Sequence, residues 1–325
     1  MRRAPGYALA RGGRAVALGW LVLLGALALV APVLPLPYPP AQPDLVYLSL
    51  PPFTAGSAHW LGTDPMGRDV LAELVFGART ALGLSVTAAA LASALGALLG
   101  GAAGFWRNRL RLPLISGAGL LGLLWWALAL PGAGAGLVVA AAGLAGSGWG
   151  PARRGPRLPV PLDAGVLGAT ALLGAVPRLV LVVVLAGSVA LSPAGLLGVL
   201  VLTSWAGPAR LVRAEMLRVK AQPFVAATWA LGLPPGRVWW RHALPAACRP
   251  LRTAFPLSLA GLLGLESTLS FLGIGLPPEV PSWGQLLSTA RLEPTAWWLV
   301  AGPGGLLLLT MLALQALSAP SVPGK

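Results

Sequence analysis

Long apolar runs alternate along this chain with short polar or proline-rich stretches. The runs fall at about 15–36, 80–105, 113–130, 132–148, 164–191, 195–209, 254–275 and 296–318. Several approach or exceed the ~20 residues that an α-helix needs to cross ~30 Å of hydrocarbon. None shows the alternating ~10-residue segments of a transmembrane barrel. The pattern predicts an all-α polytopic membrane protein. The runs at 113–130 and 132–148 are short, glycine-rich and joined at Pro131. They read as a hairpin, a re-entrant loop or an insertion.

Composition agrees with the pattern. Hydrophobic residues make up 56% of the 325 positions and charged residues only 10%, against about 25% charged in a soluble domain. The net charge of +14 would suggest nucleic acid in a soluble protein. Here the basic residues lie between apolar runs, so the charge reports membrane topology and contact with lipid headgroups, with no nucleic-acid partner. With all eight runs crossing from the inside, most of the basic residues fall on the inner face; Arg68, Arg79 and Arg291 fall outside and Arg178 lies within a run. That bias places both termini in the cytosol. Four arginines precede the first run, which extends from Ala15 to about Pro35. A signal peptide has an apolar core of only about 7–15 residues, so the run is expected to be an uncleaved span. The single Cys248 excludes an intrachain disulfide and a cysteine metal cluster.

Three local patterns stand out. Gly96, Gly100 and Gly104 share a helix face, and small residues at that spacing let helices approach closely in lipid. Arg178 and Glu266 fall in or near apolar runs, where ionisable groups are costly and are read as functional; they are pathway candidates, with Ser270. The longest inner loop, at about 210–252, is basic and amphipathic. It predicts a short helix from Phe224 to Leu231, with Pro223 at its start and Gly232 after its end. Phe224, Val225 and Trp229 give that helix an apolar stripe without an evident partner in its own chain, and such a stripe docks into a groove. A second helix is expected at "RVWWRHALP", broken near Pro245.

This loop resembles the "EAA" loop of binding-protein-dependent ABC importer permeases, whose pattern is E-A-A, three residues, G, nine residues, I-x-L-P. Ala226-Ala227-Thr228 stands at the E-A-A positions, Gly232 at the glycine and His242-Ala243-Leu244-Pro245 at the end. The glutamate is replaced by Ala226. Other stretches resemble dipeptide and oligopeptide permeases: "HWLGTDPMGRDVLAELVFGARTAL", "WAGPARLVRAEML", "RHALP" and "ESTLSFLGIGLPPEVPSWGQLL". The chain thus resembles the C-type inner-membrane permease subunit of dipeptide/oligopeptide/nickel ABC importers.

The resemblance implies a type I, MetI-like core of about six transmembrane helices, or eight with an inserted hairpin. Residues 1–42 would hold the cytosolic N-terminus and first span, 43–79 an extracytoplasmic segment, 80–318 the permease domain with an insertion at about 107–160, and 319–325 a short cytosolic tail. The segment with Gly62, Thr63, Asp64, Gly67, Arg68 and Asp69, together with Ser282, Trp283 and Gly284, would form an extracytoplasmic cap where a substrate-binding protein docks. Coupling to ATPases would use Phe224, Val225, Ala226, Ala227, Thr228, Trp229, Gly232, Arg237, Arg241, Leu244 and Pro245. The implied partners are a second homologous permease, two cytosolic ABC ATPases, the binding protein and the bilayer of the bacterial inner membrane. The chain would need no cofactor of its own; ATP and Mg would sit on the ATPases, since it has no G-x-x-x-x-G-K-[ST] phosphate loop.

Other readings fit less well. A secondary transporter predicts inverted repeats with broken helices, and no internal repeat is evident. A membrane enzyme lacks support: His59 and His242 are expected on opposite sides, and neither G-x-S-x-G nor H-E-x-x-H is present. Within the permease reading, peptide is the expected solute, with a nickel chelate or sugar as alternatives. The missing loop glutamate also leaves a non-transporting structural partner as an option.

Overall fold

The computed structural model describes residues 6–113, 157–187 and 192–318. Among these, five helices are long and apolar enough to span a membrane, and a bent helix pair would make six. The runs expected at 113–130 and 132–148 lie outside the described residues, apart from Pro113. They are flanked by a two-stranded antiparallel ladder, β1 (Leu110–Pro113) against β2 (Arg157–Val160).

The spans begin with α1 (Gly6–Val30) and α2 (Val70–Trp106). α2 starts at Val70 rather than near residue 80, because Asp69 caps it: its carboxylate accepts the Ala72 N–H at 2.8 Å. With 37 residues, at ~1.5 Å each, α2 is about 55 Å long. It outruns the hydrocarbon, so its first turns lie inside the cap described below.

The run expected at 164–191 is not one straight helix. α3 (Leu162–Ala175) and α4 (Arg178–Gly187) meet at an 89° bend. Pro177 supplies no N–H, and the residue before a proline is pushed out of the helical region; Val176 is extended, at φ −102 and ψ 134.

α5 (Pro193–Ser204) and α6 (Ala206–Lys220) together form one candidate span of 28 residues. The helix runs past residue 210, where the sequence suggested a loop. Two of its arginines are neutralised by carboxylates. Arg213 makes a forked pair with Asp163 at the start of α3, at 2.5 and 2.8 Å, and Arg218 pairs with Glu215 at 2.6 Å.

Beyond α6 come α7 (Pro223–Ala230), α8 (Pro235–Val238), a π turn (Trp239–Ala243) and α9 (Leu244–Ala247). Pro245 does not break this run. The N–H of Leu244 instead reaches back to the carbonyl of Trp239, and the wider π turn accommodates the residue that cannot donate. The last elements are α10 (Leu251–Phe271), α11 (Trp283–Thr289) and α12 (Trp298–Ser318).

α2 is the central helix. Along one face it meets α6 at backbone distance. A Cβ on Gly96 would lie 2.7 Å from the carbonyl of Trp205, one on Gly100 2.1 Å from that of Ala209, and one on Gly104 2.9 Å from that of Arg213. Real side chains do not pack that closely, so glycine is required at each position. On another face, Gly77 leaves room for the Trp283 ring, which a Cβ would approach to 2.7 Å.

Gly100→Ala is expected to force α2 and α6 apart and destabilise the fold by about 1–3 kcal/mol, the range for overpacking. Gly83→Ala, where nothing lies within 4 Å, should leave stability unchanged. Thermal unfolding in mild detergent checks this; equal midpoints for the two variants would refute it.

Candidate functional site

Two regions carry the functional candidates, one at each end of the bundle. The first is a cap built from residues 43–69 and 273–298. Its turns depend on two glycines in the left-handed region, Gly62 at φ +79 and Gly67 at φ +80. Both are pressed on the chain before them: a Cβ would sit 2.2 Å from the Leu50 carbonyl oxygen and 2.3 Å from that of Asp44, respectively. Asp64, fully buried, organises the turn between them. Its Oδ1 accepts the N–H groups of Met66 and Arg68, each at 2.8 Å, and its Oδ2 accepts Nε of Arg68 at 2.8 Å. Thr63 bridges two further strands of chain: its hydroxyl donates to the Tyr47 carbonyl and accepts the Leu50 N–H.

Asp69 does two jobs. Besides capping α2, its Oδ1 lies 2.9 Å from Nδ1 of His59. His59 is buried, stacks on Tyr38 with ring centroids 3.8 Å apart, and has Nε2 3.6 Å from a carboxylate oxygen of Asp44. Glu73, one turn into α2, accepts the N–H of Ala41 at 2.9 Å. His59, Tyr38, Asp44 and Glu73 thus belong to the cap although sequence reasoning missed them. The available signal was that His59 opens the same motif as Asp64 and Asp69.

Ser282, Trp283 and Gly284 complete the cap. Trp283 is fully buried and donates Nε1–H to the Leu74 carbonyl at 2.9 Å. Trp298 donates to the Thr63 carbonyl at 3.2 Å. Ser282 starts α11, accepting the Gly284 N–H, and its hydroxyl donates to Glu266 at 3.1 Å. Glu266 also receives Ser270 at 3.0 Å and Ser267 at 3.2 Å. The structure therefore brings Glu266, Ser270 and Ser282 together. The Glu266 carboxylate is fully buried among hydroxyl donors. Its geometry is that of a clasp between α10 and the 282 corner. Arg178 is not part of this group. Nor does it pair with Asp163, which is taken by Arg213; Arg178 lines a separate cleft among the helices.

The second region is α7 at the opposite end. Gly232 follows it at φ +71, and Leu233 N–H reaches back to the Thr228 carbonyl at 3.3 Å, a helix stop that needs a residue without Cβ strain. Val225, expected on the outward stripe, is instead fully buried. It packs with Val212, Met216 and Val219 of α6, Phe105 of α2, and Val238 and Leu244. Thr228 and Leu244 are buried as well. These three residues position the helix and are not available to a partner. The outward face holds Phe224 (43% exposed), Ala226, Ala227, Trp229 (41%) and Leu231 (78%). Trp229 stacks its ring on Phe105 with centroids 6.1 Å apart. Arg237, Arg241 and Pro245 are exposed beside it. A groove of about 800 Å³ opens beside Phe224 at the start of α7, between the end of α6 and residues 241–252, and is lined by Glu215 and by Arg218, Arg241, Arg249 and Arg252 among others. Burial pushes the nearby Cys248 thiol above its ordinary pKa, which lowers its reactivity.

Against this geometry, comparison with known proteins is decisive on family. Residues 143–323 match the family described as binding-protein-dependent transport system inner membrane component. A protein of Brucella suis biovar 1 whose name describes it as a peptide permease is 30% identical over 302 residues, covering 91% of this chain and 81% of its own length. The oligopeptide transport system permease protein OppC of Bacillus subtilis is 26% identical over 90% of this chain and 77% of its own. The peptidoglycan transport system permease protein YejE of Agrobacterium fabrum is 28% identical over 77% of this chain and 52% of its own. The chain belongs to the family of binding-protein-dependent transport permeases, as multi-pass inner-membrane components.

Asp64→Asn is expected to leave the buried Arg68 guanidinium without its charge partner, costing about 3–5 kcal/mol. Limited proteolysis of the cap in membrane vesicles should then cut segment 43–69 far faster. Arg79→Gln, at an exposed position, serves as the control and should behave like wild type. Equal cutting of all three proteins would contradict the assignment.

Proposed function

We propose that this chain is a permease subunit of an ATP-driven peptide importer, working with a second permease and coupling to separate ATPases through α7. The observation that carries the reading is the division of α7 into two faces. Val225 and Thr228 fasten it to α6 and α2, while Phe224, Ala226, Ala227, Trp229 and Leu231 face outward. A short helix held rigidly at its back and apolar at its front is suited to transmit the push of a docked partner. Its attachment to α6, and through the glycine face to α2, gives that push a route into the spans.

The family's glutamate is absent at Ala226, so docking rests on apolar area and on the arginines around the groove. Trp and Arg are the residue types that most often dominate an interface. In this reading α7 and both termini are cytosolic, as the basic residues beside α7 support. The cap then faces outward and offers its surface to a substrate-binding protein. The names of the relatives support peptides as the solute. ATP and Mg would be bound by the ATPases.

Purification of the tagged chain from its host in mild detergent is expected to recover a second permease and one or two ATPases containing phosphate loops. Recovery of the chain alone, under conditions that keep a related importer intact, would favour a non-transporting structural role. Within the complex, Phe224→Ala with Trp229→Ala should lower ATPase recovery tenfold or more without loss of folded permease. Ala226→Glu, at an exposed position, should keep or strengthen it. Unchanged recovery with the double variant would refute α7 as the docking helix.

A further inference from the structure

A cleft of about 420 Å³ opens between α2, the α3–α4 bend, α6 and α10. This is the size range of small-ligand sites. Among the described residues, its charged lining is Arg178, which follows the bend, and Arg210 of α6. Nη1 of Arg210 lies beside Gly174, 3.9 Å from where a Cβ would stand. Ser93 and Ser258 add hydroxyls. Those of Thr203 and Ser204 are spent on the carbonyls of Val199 and Leu200.

Arg178 and Arg210 are both exposed in this half-open cleft, and two guanidinium groups at one place among spanning helices favour an anion between them. The chain has nine acidic residues, all of them among the described residues. Asp163 and Glu215 hold Arg213 and Arg218, Asp64 holds Arg68, and Asp44 and Asp69 flank His59. Glu73 and Glu266 are buried with the partners given above, and Glu279 and Glu293 lie in the cap segment. No carboxylate forms an ion pair with Arg178 or Arg210 among the described residues. Both guanidinium groups are therefore open to an anion from outside the chain.

We propose that Arg178 and Arg210 form a carboxylate-receiving site on the import path, which takes the C-terminal carboxylate of a translocating peptide. The planar guanidinium fork matches a carboxylate in two hydrogen bonds, and two such groups flank one carboxylate readily. Arg210 follows Ala209, which packs on Gly100 about 9 Å from the end of α2 at Trp106, so a lipid phosphate is the competing anion and the test below separates the two. The inference rests on the peptide-import reading and deepens it.

The test uses the complete importer in liposomes, with its binding protein, and follows uptake of trialanine and of trialanine amide. Each is supplied at a concentration that saturates the binding protein. ATPase stimulation by the loaded binding protein is measured in parallel. The Arg178→Gln/Arg210→Gln variant is expected to lose tenfold or more of free-acid uptake. It should keep amide uptake and stimulated ATPase within about twofold of wild type. Equal loss for acid and amide would mean a structural role or pairing with an acidic residue of the second permease, and would overturn the site. So would unchanged uptake of both. An effect that follows the anionic-lipid content of the liposomes and not the peptide terminus would assign the arginines to lipid. Absence of peptide uptake by the wild-type complex would instead defeat the import reading, and this inference with it.

Discussion

The close approach of α2 to α6 is the constraint on which the rest of the structure depends. Helices in lipid gain nothing from burying leucine against leucine, because the lipid tails are as apolar as the side chains. Contact between backbones is what remains, and Gly96, Gly100 and Gly104 provide it. Once α6 is fixed on α2, its far end at Met216 and Val219 supplies the socket for Val225. The position of α7, and of the face it turns outward, follows from that seat. At the other end of α2, Asp69 and Glu73 anchor the chain before the span, and Trp283 anchors the chain after α10. One long helix therefore ties the outer cap to the loop helix.

The two ends are built by different physics. The cap holds a buried ion pair, Asp64 with Arg68, and a buried contact of Asp69 with His59, in turns that only glycine can make at positions 62 and 67. Breaking such a pair is costly because the remaining ion has no water. The loop end is held by apolar burial and aromatic contacts, with Trp229, Phe105, Trp106 and Trp239 touching in that order. A hydrogen-bonded cap keeps its shape, whereas an apolar helix seat tolerates small shifts in packing. That contrast suits the proposed division of work, with a rigid docking surface at the cap and an element at the other end that transmits motion.

Much of this was legible in the sequence. Apolar run length located most of the spans, and the glycine spacing identified the α2 face that proves to meet α6. The α7 helix lies within a residue of the Phe224–Leu231 prediction. Other features were hidden for physical reasons. α2 begins in a charged stretch, because Asp69 and Glu73 are buried in the cap and do not mark a loop. α6 carries Arg210 and Arg213 inside a span, because Asp163 from another helix neutralises one and a cleft receives the other. The bend at Pro177 falls in an uninterrupted apolar run, where hydropathy has no signal and only the proline does. Val225 was assigned outward because nothing in the linear sequence reveals that Met216 and Val219 lie behind it.

The central claim is that α7 presents Ala226 and Ala227 to an ATPase while Val225 faces inward. Cys248 is the chain's only cysteine, so replacing it by serine gives a clean background for single cysteines at these three positions. Cross-linking in native membranes with a short thiol-to-amine reagent measures which position meets another chain. The account predicts adducts to an ATPase subunit from the cysteines at 226 and 227 and none from that at 225. No adduct from 226 or 227 in a complex shown to be intact, or an equal yield from 225, would contradict it.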